Sequence, residues 1–419
     1  MTVLSLARRS LWNRRSTAAL VVFSVALSVA LLLGVERLRT EARESFANTL
    51  SGVDLIVGAR SGPINLLLYS VFRLGDPVSN VSWESYQKLA EHPQVDWVVP
   101  LSLGDSLRGS PVIGTTTDYF KHYRYGRSEP LRLAQGEQFD DVFDAVLGAA
   151  VARRLGYGLG DSIVLAHGTG AVSLTKHDDK PFTVVGILAP TGTPVDNSVH
   201  ISLEGMEALH VDWRGGAPMP GLSIPADRVR NMNLTPDSVT AVLVGLTSRR
   251  AVFQVQRQIN TDRSEALMAI LPGLTLQQLW DLMRVGESAL LAVSALVLLV
   301  ALTVMLTALL TGLNERRREM ALLRALGARP WQIFALIIGE SLLLSVLGAV
   351  LGILLLQGLA LGAAGWISGQ LGLTISLWPP TLHELKILAA LLAGGILVGL
   401  WPAWRAYRNA LADGMTIRM

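Results

Sequence analysis

The chain has no cysteine. Disulfides, thiol nucleophiles and Cys-ligated metals are therefore excluded, although an oxidising compartment remains permitted. Charge is sparse as well. Asp, Glu, Lys and Arg make up 16% of the 419 residues while half are hydrophobic, a balance too apolar for an ordinary soluble enzyme. Lysine is scarce, and the phosphate-cradling pattern G-x-x-x-x-G-K-[ST] is absent, so this chain alone is not expected to hydrolyse ATP. No nucleophile elbow and no helical H-E-x-x-H occurs. No basic patch interleaved with aromatics appears in the polar insert, so the formal net charge of +3 is not read as nucleic-acid binding.

What the chain does have is long apolar runs in an uneven layout. Mean hydropathy is +0.41. A membrane span takes ~20 apolar residues to cross ~30 Å of hydrocarbon. Thr17–Val35 meets this length, and Ala289–Leu313 does so without any charge. Ile333–Ala364 carries Glu340 as its only charge, and Ile387–Trp401 needs help from Leu385 and Trp404. The expected division is a cytoplasmic amphipathic segment (1–16), span one (17–35), a large outer domain (36–287) and span two (288–313). A cytoplasmic helix and loop (314–332), span three (333–364), a short outer loop (365–384), span four (385–404) and a cytoplasmic tail (405–419) complete it. Span one is read as an uncleaved anchor, because its apolar run exceeds a signal-peptide h-region and no small-residue cleavage site precedes Glu36. Basic residues cluster before span one (Arg8, Arg9, Arg14, Arg15), between spans two and three (Arg316, Arg317, Arg318, Arg324, Arg329) and after span four (Arg405, Arg408, Arg418). The positive-inside rule makes that side cytoplasmic and puts the insert outside.

The insert reads as a mixed α+β domain. A charged helix continues out of span one with Arg37, Glu41 and Glu44 on its polar face. Ser82 is placed to cap a helix bearing Trp83, Tyr86 and Leu89 on one side. Strands alternate with turns through VDWVVPLSL, SPVIGTT, DAVLGAA, DSIVLAHG and PFTVVGIL, and SVTAVLVGL returns the chain to where it began. Two lobes are expected, the second inserted at about 121–238. No internal repeat stands out.

Few residues suggest chemistry. The histidines, His92, His122, His167, His177, His200, His210 and His383, all fall on the outer side. His177 and Asp179 are candidate metal ligands in a polar turn, set against the plainer reading of scattered surface histidines. Glu340 is an acid inside a span, either functional or paired at the cytoplasmic end. The most specific local signal is NERRREMALLRALGARPWQIF, Asn314–Phe334. Its dense charged turn is followed by Met320, Leu323 and Leu326 at three-residue spacing, then by Gly327 as a helix C-cap and Pro330 opening the next helix. A short amphipathic helix at the cytoplasmic face suits a groove on a soluble partner. It equally suits a surface of anionic lipid headgroups.

These residues resemble the FtsX-like, or macrolide-exporter-type, ABC permeases. The family pattern E-R-x-x-E-x-x-x-L-R-A-L-G-A stands here as Glu315-Arg316, Glu319 and Leu323-Arg324-Ala325-Leu326-Gly327-Ala328. VIGTTTDYF, LAQGEQF, AVLGAAVARRLGYGLGDSIVL and FTVVGILAPTGTPVDNSVHISLEG resemble the family's periplasmic core, and Pro402-Ala403 and Ala406 its C-terminal ending, though a second Pro is missing. The resemblance implies a permease subunit in the bacterial inner membrane, pairing with a second permease copy in a homo- or heterodimer. It implies two copies of a separate ABC ATPase that bind ATP and Mg, and no cofactor in this chain. Glu315, Arg316, Glu319, Leu323, Arg324, Leu326 and Gly327 would form the coupling helix. ATP binding would then drive mechanical work in the periplasm, as export, lipoprotein or lipid extraction, or tripartite efflux, with a periplasmic adaptor, lipoprotein or binding protein as partner. The family also contains non-transporting regulators of periplasmic proteins, and that alternative stays open. One segment departs from the family, Gly58–Pro77. Its apolar centre, with Ile64, Leu67, Tyr69 and Phe72, is read as a surface for a partner or substrate, or as packing within the dimer.

Overall fold

The computed structural model describes residues 15–168, 177–214, 217–219, 224–315, 320, 327–371 and 380–412. The chain divides into a helical unit (1–41, 284–364, 375–419) and an α/β unit (42–283, 365–374).

Helix α1 runs Arg15–Asn48. Strand β1 (Leu55–Ala59) and a short helix α2 (Pro63–Leu67) with a π-turn to Phe72 follow. Next come α3 (Trp83–Ala90), the long strand β2 (Val95–Leu107), β3 (Ser110–Thr115), β4 (Leu133–Gly136) and β5 (Asp144–Leu147). Helix α4 (Ala149–Leu155), β6 (Ala166–His167), β7 (Phe182–Leu188), β8 (Val199–Ser202), helix α5 (Leu203–His210) and β9 (Trp213–Arg214) continue the domain. It closes with β10 (Ala241–Leu246), α6 (Val252–Thr261) and β11 (Leu267–Ile270). Helices α7 (Pro272–Glu315), α8 (Pro330–Leu371) and α9 (Leu382–Ala412) end the chain.

In the α/β unit one mixed sheet runs β11-β1-β10-β2-β3-β8-β5-β7-β4, with β6 beside β2. Most strands of the chain inserted at 121–238 join this sheet: β8, β5, β7 and β4 extend it beyond β3, and β6 lies against β2, which is long enough to pair with β10 through its first half and with β3 and β6 through its second. Two small two-stranded ladders, at 124–130 and 213–218, stand apart from it. The β2–β3 register slips between Leu103 and Ser106, opposite Pro111, which has no N–H to give the ladder. That bulge redirects Asp105. Ser82 caps α3 by accepting from the Ser85 N–H.

The apolar centre of Gly58–Pro77 is part of this unit's core. Leu67, Tyr69 and Phe72 are buried among Ile56, Leu101 and Tyr119, and Ile64 is half-buried. The expectation of a partner-facing surface is corrected accordingly: the run folds back over β1. Gly58 permits this, since a Cβ there would sit 2.5 Å from Leu66 and 2.8 Å from the Tyr69 hydroxyl.

In the helical unit, Val21, Val25, Val29 and Leu33 form a four-residue stripe on α1 that packs with Ala301, Met305 and Leu309 of α7 and Leu344 of α8. Among the described residues, four helices are long and apolar enough to cross a membrane. At 34 residues, α1 is ~50 Å long, well beyond the ~30 Å a bilayer core requires. The start of α9 carries a capping box: Glu384 accepts from the Thr381 N–H and the Thr381 hydroxyl accepts from the Glu384 N–H. Glu384 also lies 3.4 Å from Arg37, and Glu36 pairs with Arg39 at 2.8 Å. Arg37 stands on the polar side of α1 with Glu41, and its side chain is 11% exposed beside Glu384 of α9.

Candidate functional site

Four side chains that are remote in sequence meet at the bulge of β2. Asp105 leaves the bulge into the interior and is fully buried. His167 sits opposite it in the β6 register, with Nδ1 at 3.1 Å from Asp105 Oδ1. His177 is anchored by its backbone N–H to the Leu165 carbonyl, and its side chain is 2% exposed. Its Nε2 lies 3.9 Å from Asp105 Oδ1, too far for a hydrogen bond. His210, the last residue of α5, brings Nε2 to 3.6 Å from Asp105 Oδ1 and 3.2 Å from His167 Nδ1. Trp213 covers the group, its ring 4.6, 5.0 and 5.1 Å from the His167, His177 and His210 rings. One ligand-type atom from each of the four residues lies within 4.8 Å of every other.

The surroundings fix these positions. Lys180 is buried and donates to Asp212 Oδ2 at 2.8 Å and Asp179 Oδ2 at 2.9 Å, tying the turn that carries His177 to the segment that carries Trp213. His210 Nδ1 lies 3.0 Å from the Met206 carbonyl. A carbonyl only accepts, so Nδ1 holds the hydrogen and, in the neutral ring, the Nε2 lone pair faces the cluster. Burial works against charge on Asp105, but the His167, His177 and His210 imidazoles outweigh it and hold its carboxyl far below the usual range. Burial likewise opposes protonation of His210, and Asp105 overcomes it, moving that imidazole up.

The expected site residues are distributed differently. His177 belongs to the cluster, whereas Asp179 turns to Lys180. Asp105, His167 and His210 were not anticipated as partners of His177. Glu340 is buried on α8 and lines a small cavity with Thr17, Ala18 and Val21 of α1 and Leu309 and Leu313 of α7. It therefore faces the helix interior. Of the expected coupling segment, Glu315 ends α7, while Arg316, Glu319, Leu323, Arg324 and Leu326 lie outside the described residues. Met320 packs against Ile333, Ile337, Ala403 and Ala406. Gly327 adopts a left-handed φ of 92°, as a C-cap glycine does, and Pro330 opens α8.

Among the described residues, four apolar helices of spanning length, with a large α/β domain between the first and second in sequence, give the layout of a multi-span membrane protein with an extensive extramembrane domain. The chain belongs to the FtsX-like permeases with a MacB-like periplasmic core domain: residues 17–262 match the MacB-like periplasmic core domain and residues 291–411 the FtsX-like permease C-terminal family. It is 24% identical over 364 residues to the macrolide export ATP-binding/permease protein MacB of Bordetella avium, covering 81% of this chain and 49% of that protein. It is 22% identical over 416 residues to the pyoverdine export ATP-binding/permease protein PvdT of Pseudomonas syringae pv. tomato, covering 96% and 57%. ABC transporter permease YtrF of Bacillus subtilis is 24% identical over 265 residues, 58% of this chain and 53% of that one. The chain thus spans about half the length of the curated relatives it matches. The crystal structure of the periplasmic region of MacB from Actinobacillus actinomycetemcomitans aligns with a TM-score of 0.34 at 12% identity, over 56% of this chain and 95% of that one.

Proposed function

We propose that this chain is the permease half of an ATP-driven machine of the bacterial inner membrane. A separate ABC ATPase, two copies per permease dimer, binds ATP and Mg2+ at the cytoplasmic face. The segment Glu315–Gly327 docks into it, with Glu315, Arg316, Glu319 and Arg324 making polar contacts and Leu323 and Leu326 filling its groove. Both termini are cytoplasmic and the α/β domain is periplasmic. Closure of the ATPases shifts the cytoplasmic ends of the helices, and the periplasmic domain does work on a cargo or partner there. The free energy transmitted is limited by the difference in contacts between the two states of the bundle. The observation that carries this reading is the joint match to a permease family and a periplasmic-core family over one four-helix layout. The basic residues gathered on one side of that layout support the orientation.

The test is co-purification with the ATPase from native membranes and measurement of its ATP turnover. Glu319→Lys and Arg324→Glu are expected to abolish both association and stimulation of turnover. Normal complexes in both variants would refute the coupling assignment. Recovery of the chain with a periplasmic hydrolase and no transported ligand would favour a non-transporting regulator.

A further inference from the structure

We propose that Asp105, His167, His177 and His210 form a Zn2+ site in the α/β domain. The proposal stands on the donor atoms alone and does not depend on the permease reading.

Zn2+ takes imidazole nitrogen at ~2.0–2.1 Å and carboxylate oxygen at ~2.0–2.2 Å, which in a tetrahedron sets neighbouring donors ~3.3–3.6 Å apart. Four of the six donor separations are 3.1, 3.2, 3.6 and 3.9 Å, and the two between His177 and the other histidines lie within 4.8 Å, so His177 has the furthest to move for the shell to close. The donors come from β2, β6, the turn at His177 and the end of α5, and they converge without any common sequence spacing.

A purely hydrogen-bonded histidine–aspartate network would give each inward atom a complementary partner. This group does not. Asp105 Oδ2 and His177 Nε2 are buried and lack a hydrogen-bond partner among the described residues. The His210 hydrogen is committed to the Met206 carbonyl, so its inward nitrogen offers a lone pair. Atoms that mostly accept, facing one another around a buried carboxylate, are suited to a cation. The outer contact from His210 to Met206 is the kind that fixes the tautomer and orientation of a metal-bound imidazole.

Ligand type selects among metals. Three imidazoles and a carboxylate suit Zn2+, whereas Ca2+ and Mg2+ require oxygen shells and Cu(I) sulfur. Four protein ligands fill a tetrahedron and leave no open position, as in structural rather than catalytic zinc sites. The metal would therefore staple α5 and the His177 turn to the central strand. His167 and His210, with side chains 37% and 25% exposed, give the ion its way in.

The experiment uses the full chain in mild detergent, freed of any histidine tag and stripped with chelator. Zn2+ uptake is followed by equilibrium dialysis, and thermal unfolding is measured with and without Zn2+. One Zn2+ per chain and a rise in melting temperature are expected. His167→Ala and His210→Ala should weaken binding by more than the ~10–100-fold that loss of an outer-shell partner costs. His92→Ala, which removes a histidine outside the cluster, should bind normally. Absence of saturable uptake, or equal uptake by His167→Ala and His210→Ala, would overturn the site. Should those variants fail to fold, the wild-type protein loaded with Co2+ decides: an intense tetrahedral visible spectrum supports the site, and a weak octahedral one refutes it.

Discussion

The helical unit and the α/β unit treat their polar groups in opposite ways. In the helices most hydroxyls bond within their own helix: Ser294 donates to the Leu290 carbonyl, Thr303 to Leu299, Thr307 to Thr303 and Ser345 to Ser341. Ser28 and Ser341 also reach a carbonyl on another helix. Outward faces are apolar, with Leu296 and Leu299 at 61% and 60% exposure. In the α/β unit polar groups bridge elements: Thr115 donates to Pro100, Tyr123 to Thr49, and Lys180 to Asp212. A hydrocarbon solvent supplies no water to satisfy a stray polar group, so spanning helices satisfy theirs locally and associate through small residues in close contact. A domain with a wet surface and a dry core can use polar bonds to fix which elements meet. Damage should therefore follow polar pairing in one unit and volume in the other.

The largest effect is expected at Lys180. Its side chain is 1% exposed and lies between Asp212 and Asp179. Lys180→Met leaves the Asp212 carboxylate buried without its cation, at a cost of ~3–5 kcal/mol. Replacing both partners, as Lys180→Met with Asp212→Leu, should recover most of that loss. Chemical unfolding of the full chain in detergent measures both. If the double variant proves no better than the single one, the pair is not what holds this segment.

In the helical unit the corresponding break is steric. A Cβ on Gly352 would lie 2.6 Å from the Ala26 carbonyl oxygen and 2.7 Å from Val29. Gly352→Leu is expected to cost ~3 kcal/mol, the upper end for overpacking, because backbone cannot turn aside as a side chain can. A Leu variant that unfolds like wild type would mean that α1 and α8 do not pack this closely.

The spans and sheet strands were legible in the sequence because each follows from a local period: uninterrupted apolar runs in one unit, alternation in the other. The histidine cluster was not. Asp105, His167, His177 and His210 are joined only by the bulge in β2 and the folding of α5 beside it. The one visible hint was the crowding of histidines between His167 and His210. Asp179 attracted attention by adjacency to His177, yet the turn directs it to Lys180. The Gly58–Pro77 run was misjudged for a different reason. An apolar stretch between glycines and prolines has the same composition whether it plugs its own core or meets a partner. Only the room at Gly58 settles which.

A titration sharpens the comparison further. His200 lies on β8 with its ring beside Tyr119 and Phe120, and burial pushes its pKa down to about 3. The unfolded imidazole takes up its proton near pH 6.5, so below that pH the unfolded state binds more protons and stability is lost as pH falls toward the folded value. Between pH 7 and pH 5 this amounts to ~2 kcal/mol. His210 is shifted upward and acts in the opposite sense and at higher pH: its contribution is full below about pH 6.5 and is lost as pH rises through the folded value. The informative quantity is therefore the difference between wild type and His200→Leu, whose unfolding free energy should lack the acid loss. Parallel pH curves for the two proteins would mean that His200 is not held neutral.

The smallest expected effect isolates solvent as the variable, because it repeats the Lys180 test on charges left in water. Arg230 forms a two-pronged pair with Asp141, Nη2 to Oδ1 at 3.0 Å and Nε to Oδ2 at 3.2 Å, and its guanidinium stands 5.0 Å over the Phe143 ring. The geometry is better than that of Lys180 with Asp212, yet the side chains are 41% and 47% exposed. Water already solvates both ions, so Arg230→Ala is expected to cost only ~0.2–1 kcal/mol. The dependence on salt should separate the two pairs most clearly. At 1 M ionic strength the Debye length falls to ~3 Å, and the Arg230→Ala effect should fade while the Lys180→Met effect persists. Equal salt sensitivity in both variants would mean that water reaches the Lys180 pair, and that burial is not what makes the polar bonds of this domain decisive.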